Sequence, residues 1–178
     1  MRTGEIKKHL TKELLPFWKG LRDDAYGGFY GEMDYSLTLH KKADKGCILN
    51  SRILWFFSNA YTVVRDAECL DYAKHAYEFL KDAFLDKEHG GVYWSVTYDM
   101  IPGDTSKHTY NQAFAIYGLA SYYEASKDEE ALRLAYELAD RVEASCKDGT
   151  GYLRPSTAAS GRWIMRNYRR TASWRQEP

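Results

Sequence analysis

The chain has 178 residues, enough for one domain with a sizeable hydrophobic core. Its 25 basic and 25 acidic residues balance, so charge gives no reason to expect a nucleic-acid or anionic-membrane partner. The N-terminus lacks an apolar signal core, no run is long enough to span a membrane, and the three cysteines form no CxxC motif. We therefore expect a cytoplasmic protein with reduced thiols.

The first predicted helix covers about residues 4–21, where apolar residues recur at helical spacing on one face. Pro16 is expected to bend it, because proline cannot donate an interior backbone hydrogen bond. Two glycines then begin an alternating stretch, GGFYGEMDYSLTLH, at residues 27–40. The alternation predicts a half-buried strand.

Two helical patterns follow this stretch. Residues 50–64 are apolar on nearly all sides, which is typical of a buried helix, and residues 68–84 are amphipathic. The same order then recurs: a second glycine pair opens a predicted strand at 90–99, a mostly apolar helix covers 109–125, and an amphipathic helix covers 128–145. The chain therefore contains an internal repeat.

The repeat predicts an all-α fold. Buried helices would form an inner ring and amphipathic helices an outer ring, as in an (α/α)6 barrel, although about five helices leave the barrel incomplete. The glycine-aromatic stretches, including a third at 149–153, would form β-hairpin-like loops at one end. Because that end also carries the N-termini of the inner helices, whose free N–H groups suit oxygen-rich ligands, we expect the ligand site there.

Four residues near that end are candidates for the site. Arg52 is predicted inside an apolar helix and would need an acceptor, either a structural partner such as Asp44 or a ligand. Tyr110 begins the second inner helix, where its hydroxyl would meet water or a ligand. Trp55 would either stack on a sugar or fill the core, and His108 is a weaker candidate.

Five stretches, taken in order, resemble the N-acylglucosamine 2-epimerase superfamily and, within it, the cellobiose 2-epimerases. They lie at residues 16–34, 41–61, 72–80, 90–94 and 107–123. Each is weak alone, but the ordered set is specific and extends to about residue 164. The resemblance implies an (α/α)6 barrel, in agreement with the repeat.

The resemblance also implies a reaction: inversion at C2 of the reducing-end glucose of a β-1,4-linked disaccharide, through a cis-enediol. In the family two histidines carry the proton, without a metal or other cofactor. Arg52 matches an arginine that steadies the substrate's oxygens, and Tyr110 a tyrosine near the reacting sugar. None of the five histidines matches the family's catalytic positions, which lie downstream, so we expect an N-terminal part that is inactive alone.

Other readings stay open. Within the enzyme class, the chain is compatible with a mannose isomerase or an N-acylglucosamine 2-epimerase. Outside that class, it would be a non-catalytic helical module that binds a sugar or a protein partner. An unclosed ring would leave inner-helix surface exposed, so we expect self-association.

The C-terminal stretch MRNYRRTASWRQEP, residues 165–178, fits neither a helix nor a strand. A basic arm for an acidic partner is one interpretation. We favour a frameshift near Ile164 and Met165, because a shifted reading frame can restore the family's sequence there. Residues 1–164 would then be the barrel part, and 165–178 an aberrant tail without function.

Overall fold

The computed structural model describes residues 3–147 and Gly151, and helices dominate this part of the chain. Its elements are α1 (Thr3–His9), a π-helical turn (Leu10–Leu14), α2 (Leu15–Lys19), β1 (Lys45–Gly46), α3 (Cys47–Val64), α4 (Ala67–Phe79), a second π-helical turn (Leu80–Phe84), β2 (Ser95–Val96), α5 (Thr109–Ser126) and α6 (Glu129–Ser145). Since α1, the first π turn and α2 form one interrupted helix, these residues contain five helical units, as predicted. None of the described helices is long and apolar enough to cross a membrane.

Two predictions fall on the remaining part of the chain. The third glycine-aromatic stretch, at 149–153, lies outside the described residues except for Gly151, and the tail at 165–178 lies wholly outside them. The frameshift therefore stays a prediction.

The first helix is interrupted just before Pro16. In the π-helical turn the backbone N–H of Leu15 donates to the carbonyl of Leu10, five residues earlier. A proline ring in a regular helix would clash with the carbonyl four residues before it, and the wider turn relieves that clash.

The helices pack in the predicted inner and outer arrangement. α3 and α5 pack against each other, and α4 and α6 each pack against the inner helix that precedes them. At the contact between α3 and α5 the backbones come close: a Cβ added to Gly118 would lie 2.7 Å from the carbonyl oxygen of Ser51. The inner helices thus form one layer that joins the two repeats.

The short turns between paired helices are also alike. α3 and α5 both end at a left-handed residue, Arg65 (φ 59°) and Lys127 (φ 61°). The next residue is an aspartate in each case, and the side chains of Asp66 and Asp128 accept backbone N–H groups at the starts of α4 and α6.

Two long loops, at residues 20–44 and 85–108, occupy the other end of the helices. An isolated bridge closes each into a hairpin-like turn, with Met33 opposite Leu39 in the first and Val96 opposite Pro102 in the second. In the part of the chain that the structure describes, regular strand is confined to β1 and β2, which pair antiparallel and join the loops. The hairpin-like loops are confirmed, but only β2 forms within the strand predicted at 90–99.

The prediction of a continuous half-buried strand at 27–40 is wrong. Phe29 is buried, as the alternation requires, but Tyr35 and Leu37 are exposed at the tip of a tight turn. Leu37 is left-handed (φ 62°) and donates its N–H to the carbonyl of Asp34 at 3.0 Å. The Asp34 carboxylate accepts further N–H groups inside the turn, which stabilises the turn over an extended chain.

Candidate functional site

A cavity of about 680 Å³ opens on the inner-helix layer. Its lining residues come from α3 and α5: Arg52, Trp55, Tyr110, Ala113, Phe114 and Tyr117. Three of the four predicted site residues therefore lie around one cavity. The fourth, His108, is not part of the lining.

Arg52 is exposed, so the prediction that its guanidinium is embedded in the apolar helix is wrong. Within the described residues no ion pair joins it to Asp44, which is also exposed. The helix is apolar overall, but its buried side carries residues such as Leu54 and Phe57, while the side with Arg52 opens on the cavity. An exposed guanidinium is solvated and leaves its donors available to a ligand.

The aromatic rings of the cavity support one another. Trp55 and Tyr117 stack with centroids 5.3 Å apart and planes at 18°. The Phe114 ring packs edge-on against both Tyr110 (4.9 Å) and Tyr117 (6.4 Å). Tyr110 nevertheless stays 62% exposed. The rings thus form a connected surface with open faces, which suits the apolar face of a sugar ring.

A second cavity, of about 330 Å³, lies on the other side of Arg52 and Trp55, which line both cavities. The N-terminal helix contributes Leu14 and Trp18 to it, and α3 contributes the other residues, Leu49, Ile53 and Phe56. Arg52 and Trp55 therefore form the wall between two neighbouring cavities.

His108 is half-buried beside the site rather than in it. Its ring packs edge-on against Trp94 at 4.8 Å, and its carbonyl accepts N–H groups from the first turn of α5. The other four histidines make contacts elsewhere: His9 with Glu13, His40 with Asp34, His75 with the carbonyl of Gly28, and His89 with Asp86. In the described part of the chain, no group of three or more His, Cys, Asp or Glu side chains could hold a metal ion.

The structure adds two buried ion pairs that the sequence analysis missed. Lys45 Nζ lies 2.7 Å from Asp23 Oδ2, and Lys107 Nζ lies 2.5 Å from Asp86 Oδ2. Each lysine lies two residues before the first residue of an inner helix, and each aspartate lies near the start of a long loop. A sequence signal was present, since DDAYGGFY at 23–30 and DKEHGGVY at 86–93 share the spacing D-x-x-x-G-G-x-Y.

Each ammonium group also donates to a backbone carbonyl, that of Gly27 for Lys45 and that of Gly90 for Lys107. Burial alone would raise the pKa of Asp86, but the hydrogen bond from Lys107 and those from the backbone N–H groups of His89 and Glu88 lower it to about 2. The pKa of Asp23 is lowered in the same way, against the effect of burial, chiefly by Lys45. Both aspartates are therefore ionised near neutral pH.

Comparison with known proteins gives a consistent result. The sequence profile of the N-acylglucosamine 2-epimerase (GlcNAc 2-epimerase) family matches residues 18–173. The chain is 57% identical over 152 residues to a cellobiose 2-epimerase of Ruminococcus albus, an alignment that covers 85% of this chain and 39% of that protein. It is 45% identical over 149 residues to a cellobiose 2-epimerase of Dictyoglomus turgidum, covering 84% and 38%.

Solved structures agree with these sequence matches. A sugar epimerase from a ruminal bacterium superposes with a TM-score of 0.88 at 53% identity, over 92% of this chain and 42% of that one. A D-mannose isomerase, 20% identical with a TM-score of 0.78, shares the fold. The prediction of an incomplete (α/α)6 barrel is confirmed, and the chain spans 39% of the length of its Ruminococcus albus relative. With the family profile matched over most of its residues, the chain belongs to the N-acylglucosamine 2-epimerase family.

Proposed function

We propose that this chain supplies the sugar-positioning part of an epimerase that inverts C2 of the reducing-end glucose in cellobiose or a related β-1,4-linked disaccharide. The observation that carries the proposal is the cavity in which Arg52 lies among open aromatic faces. The 57% identity to a cellobiose 2-epimerase supports the choice of substrate.

The lining chemistry fits an opened sugar. The planar guanidinium of Arg52 offers several donors in a fixed arrangement, which suits neighbouring sugar oxygens and the charge that develops on them in an enediol. Tyr110 offers a hydroxyl at the same cavity, and the stacked pair of Trp55 and Tyr117 offers a ring face. Together these groups would hold the sugar in place and leave its C2 carbon accessible for removal and return of a proton.

Proton transfer needs other groups. Inversion at C2 requires a base on one face of the carbon and an acid on the other. Among residues 3–147, those that line this cavity include no imidazole and no carboxylate. We therefore propose that the chain alone binds the disaccharide and does not epimerise it.

The test is to incubate the purified chain with cellobiose in D2O. Titration calorimetry measures binding, and proton NMR follows exchange at C2 and formation of the mannose-containing product. We expect binding without exchange. Rapid C2 exchange by this chain would contradict the division of roles, and absence of binding would contradict the cavity assignment.

Variants locate the binding site. Arg52→Lys and Tyr110→Phe should weaken binding by about tenfold or more, since each removes a directed hydrogen bond to the sugar. Arg133→Lys and Tyr136→Phe are matched controls, because both residues are exposed on the outer helix α6, and Tyr136 is 65% exposed. Equal affinity in all four variants would place the sugar elsewhere.

A further inference from the structure

We propose that Lys107, through its buried pair with Asp86, is a positioning residue for Tyr110, and that Lys45, with Asp23, has the same role for Arg52. The inference rests on the proposed function of the cavity. It assigns to the long loops the task of fixing the inner-helix residues that contact the sugar.

In the second loop, the Lys107 ammonium group is hydrogen-bonded to two other residues of the loop. Nζ donates to Asp86 Oδ2 at 2.5 Å and to the carbonyl of Gly90 at 2.6 Å. Asp86 Oδ1 in turn accepts the backbone N–H groups of Glu88 and His89. The loop is thereby closed onto the residue that lies three positions before Tyr110.

The residues after Tyr110 are attached to the same loop. Gln112 Oε1 accepts the N–H of Val92 at 2.8 Å, and Gln112 Nε2 donates to the Val92 carbonyl at 2.8 Å. Asn111 Nδ2 donates to the carbonyls of Val92 and Tyr93. The backbone on both sides of Tyr110 is therefore held by the loop, while the Tyr110 side chain is exposed at the cavity.

The first loop makes equivalent hydrogen bonds near the start of α3. Lys45 Nζ donates to Asp23 Oδ2 and to the carbonyl of Gly27, both at 2.7 Å. Asn50 Oδ1 accepts the N–H of Phe29 at 3.2 Å. Asn50 lies two residues before Arg52, so the helical turn that presents the guanidinium is anchored to its loop.

Stability alone does not explain these pairs. Burying two charges costs desolvation, and apolar residues of similar volume often stabilise a protein as well as a buried ion pair does. An ammonium held between a carboxylate and a carbonyl, however, fixes direction and distance, which an apolar contact does not. Removing both charges together should therefore separate positioning from stability.

The test uses the full chain with the double substitution Asp86→Asn and Lys107→Met, which removes both charges and keeps an Oδ1 acceptor for the N–H groups of Glu88 and His89. We expect a free energy of unfolding near that of the parent, and a Kd for cellobiose at least about tenfold weaker, because small misplacements of a contact group are costly. The backbone order parameter of Tyr110, measured by NMR relaxation, should fall from about 0.85 toward 0.6. Asp23→Asn with Lys45→Met, which keeps the acceptor for the N–H groups of Ala25 and Tyr26, should act likewise on binding and on the order of Arg52.

A surface ion pair provides the control. Arg133→Gln with Glu137→Gln removes a pair on the outer helix α6, at 2.6 Å in the structure, and should change neither affinity nor order at Tyr110. Parent-like affinity and parent-like order in both buried-pair variants would overturn the inference.

Two further outcomes are decided by other measurements. If a double variant does not fold, Lys107→Arg keeps the charge pair but changes its geometry; weaker binding and lower order at Tyr110 would support positioning, and parent-like values would overturn it. If the parent binds no cellobiose, the proposed function fails. The positioning role is then judged by the order parameters alone: a fall supports it, and no change overturns it.

Discussion

The first long loop (20–44) and the second (85–108) are closed at their bases by the same kind of buried ion pair, Asp23 with Lys45 and Asp86 with Lys107. Their tips have different surroundings. At the tip of the second loop, the Tyr98 ring packs edge-on against the Tyr26 ring of the first loop, with centroids 5.2 Å apart. Lys42 Nζ lies 5.9 Å from the centroid of the Tyr98 ring. Tyr35, at the corresponding place in the first loop, is fully exposed. The base is fixed within each loop, whereas the state of the tip depends on its neighbour.

The similarity of the bases extends to the backbone. The backbone N–H of Asp23 donates to the carbonyl of Gly28 at 3.0 Å, and the backbone N–H of Asp86 donates to the carbonyl of Gly91 at 2.9 Å. At one point the loops differ: Gly31 passes directly against the carbonyl of Asp44, whereas the second loop has a tryptophan at the equivalent position. The first loop thus depends on close backbone contact where the second uses a side chain.

The largest expected effect comes from breaking one base. Lys107→Met alone leaves the Asp86 carboxylate buried without its cation, which should lower the free energy of unfolding by about 3–5 kcal/mol. Lys45→Met should have a similar effect in the first loop. Urea denaturation of both variants checks this, and a loss confined to one of them would show that the two bases are not equivalent.

A smaller effect is expected where the bases differ. Gly31→Ala would place a Cβ against the Asp44 carbonyl, a backbone group that cannot move freely, at an expected cost of about 2–3 kcal/mol. Gly103→Ala in the second loop is the comparison, since its nearest neighbour, Ser95 Oγ, is 3.3 Å away and belongs to a side chain. Thermal melts in which both variants lose equal stability would contradict the difference.

Low pH should weaken the buried ion pair of Lys107 and Asp86, which closes the second loop, in a defined pH range. The folded-state pKa of Asp86 is about 2, below its ordinary value of 3.8. Its contribution to stability is therefore complete above about pH 5 and is lost as the pH falls toward 2, a loss of about 2 kcal/mol. Urea denaturation at pH 5 and pH 2.5 measures it. Asp86→Asn should show a shallower pH dependence, and an unchanged slope would contradict this origin.

The smallest effect is expected at the tips. Leu37 (φ 62°) and Met100 (φ 73°) are left-handed at equivalent turns. Leu37 is 71% exposed, so Leu37→Gly should relieve strain with little lost packing and add up to about 1 kcal/mol. Met100 packs partly against the core, so Met100→Gly should give no gain. A calorimetric comparison of melting temperatures decides, and a gain from both would contradict the contrast.

Sequence patterns predicted the helices and the repeat well, because helical periodicity is a local property of the chain. The strand at 27–40 was predicted wrongly because alternation persisted through residues such as Asp34, whose side chain favours a turn. The burial of Arg52 was predicted wrongly because the apolar content of a helix does not reveal which face stays open. The buried lysines were missed because lysine is rarely buried and its aspartate partner lies more than 20 residues away.

The close approach of α3 and α5 at Gly118 has a consequence for how the molecule unfolds. Within a repeat, helices that are adjacent in sequence pack together, while the two repeats meet chiefly along α3 and α5, with smaller contacts between α4 and α5 and between β1 and β2. In such modular proteins, the strength of the interface decides whether neighbouring units melt as one. Because α3 and α5 form the most extensive helix contact, we expect the two repeats to melt as one, and a bulkier residue at position 118, which would push these helices apart, to weaken the coupling between them.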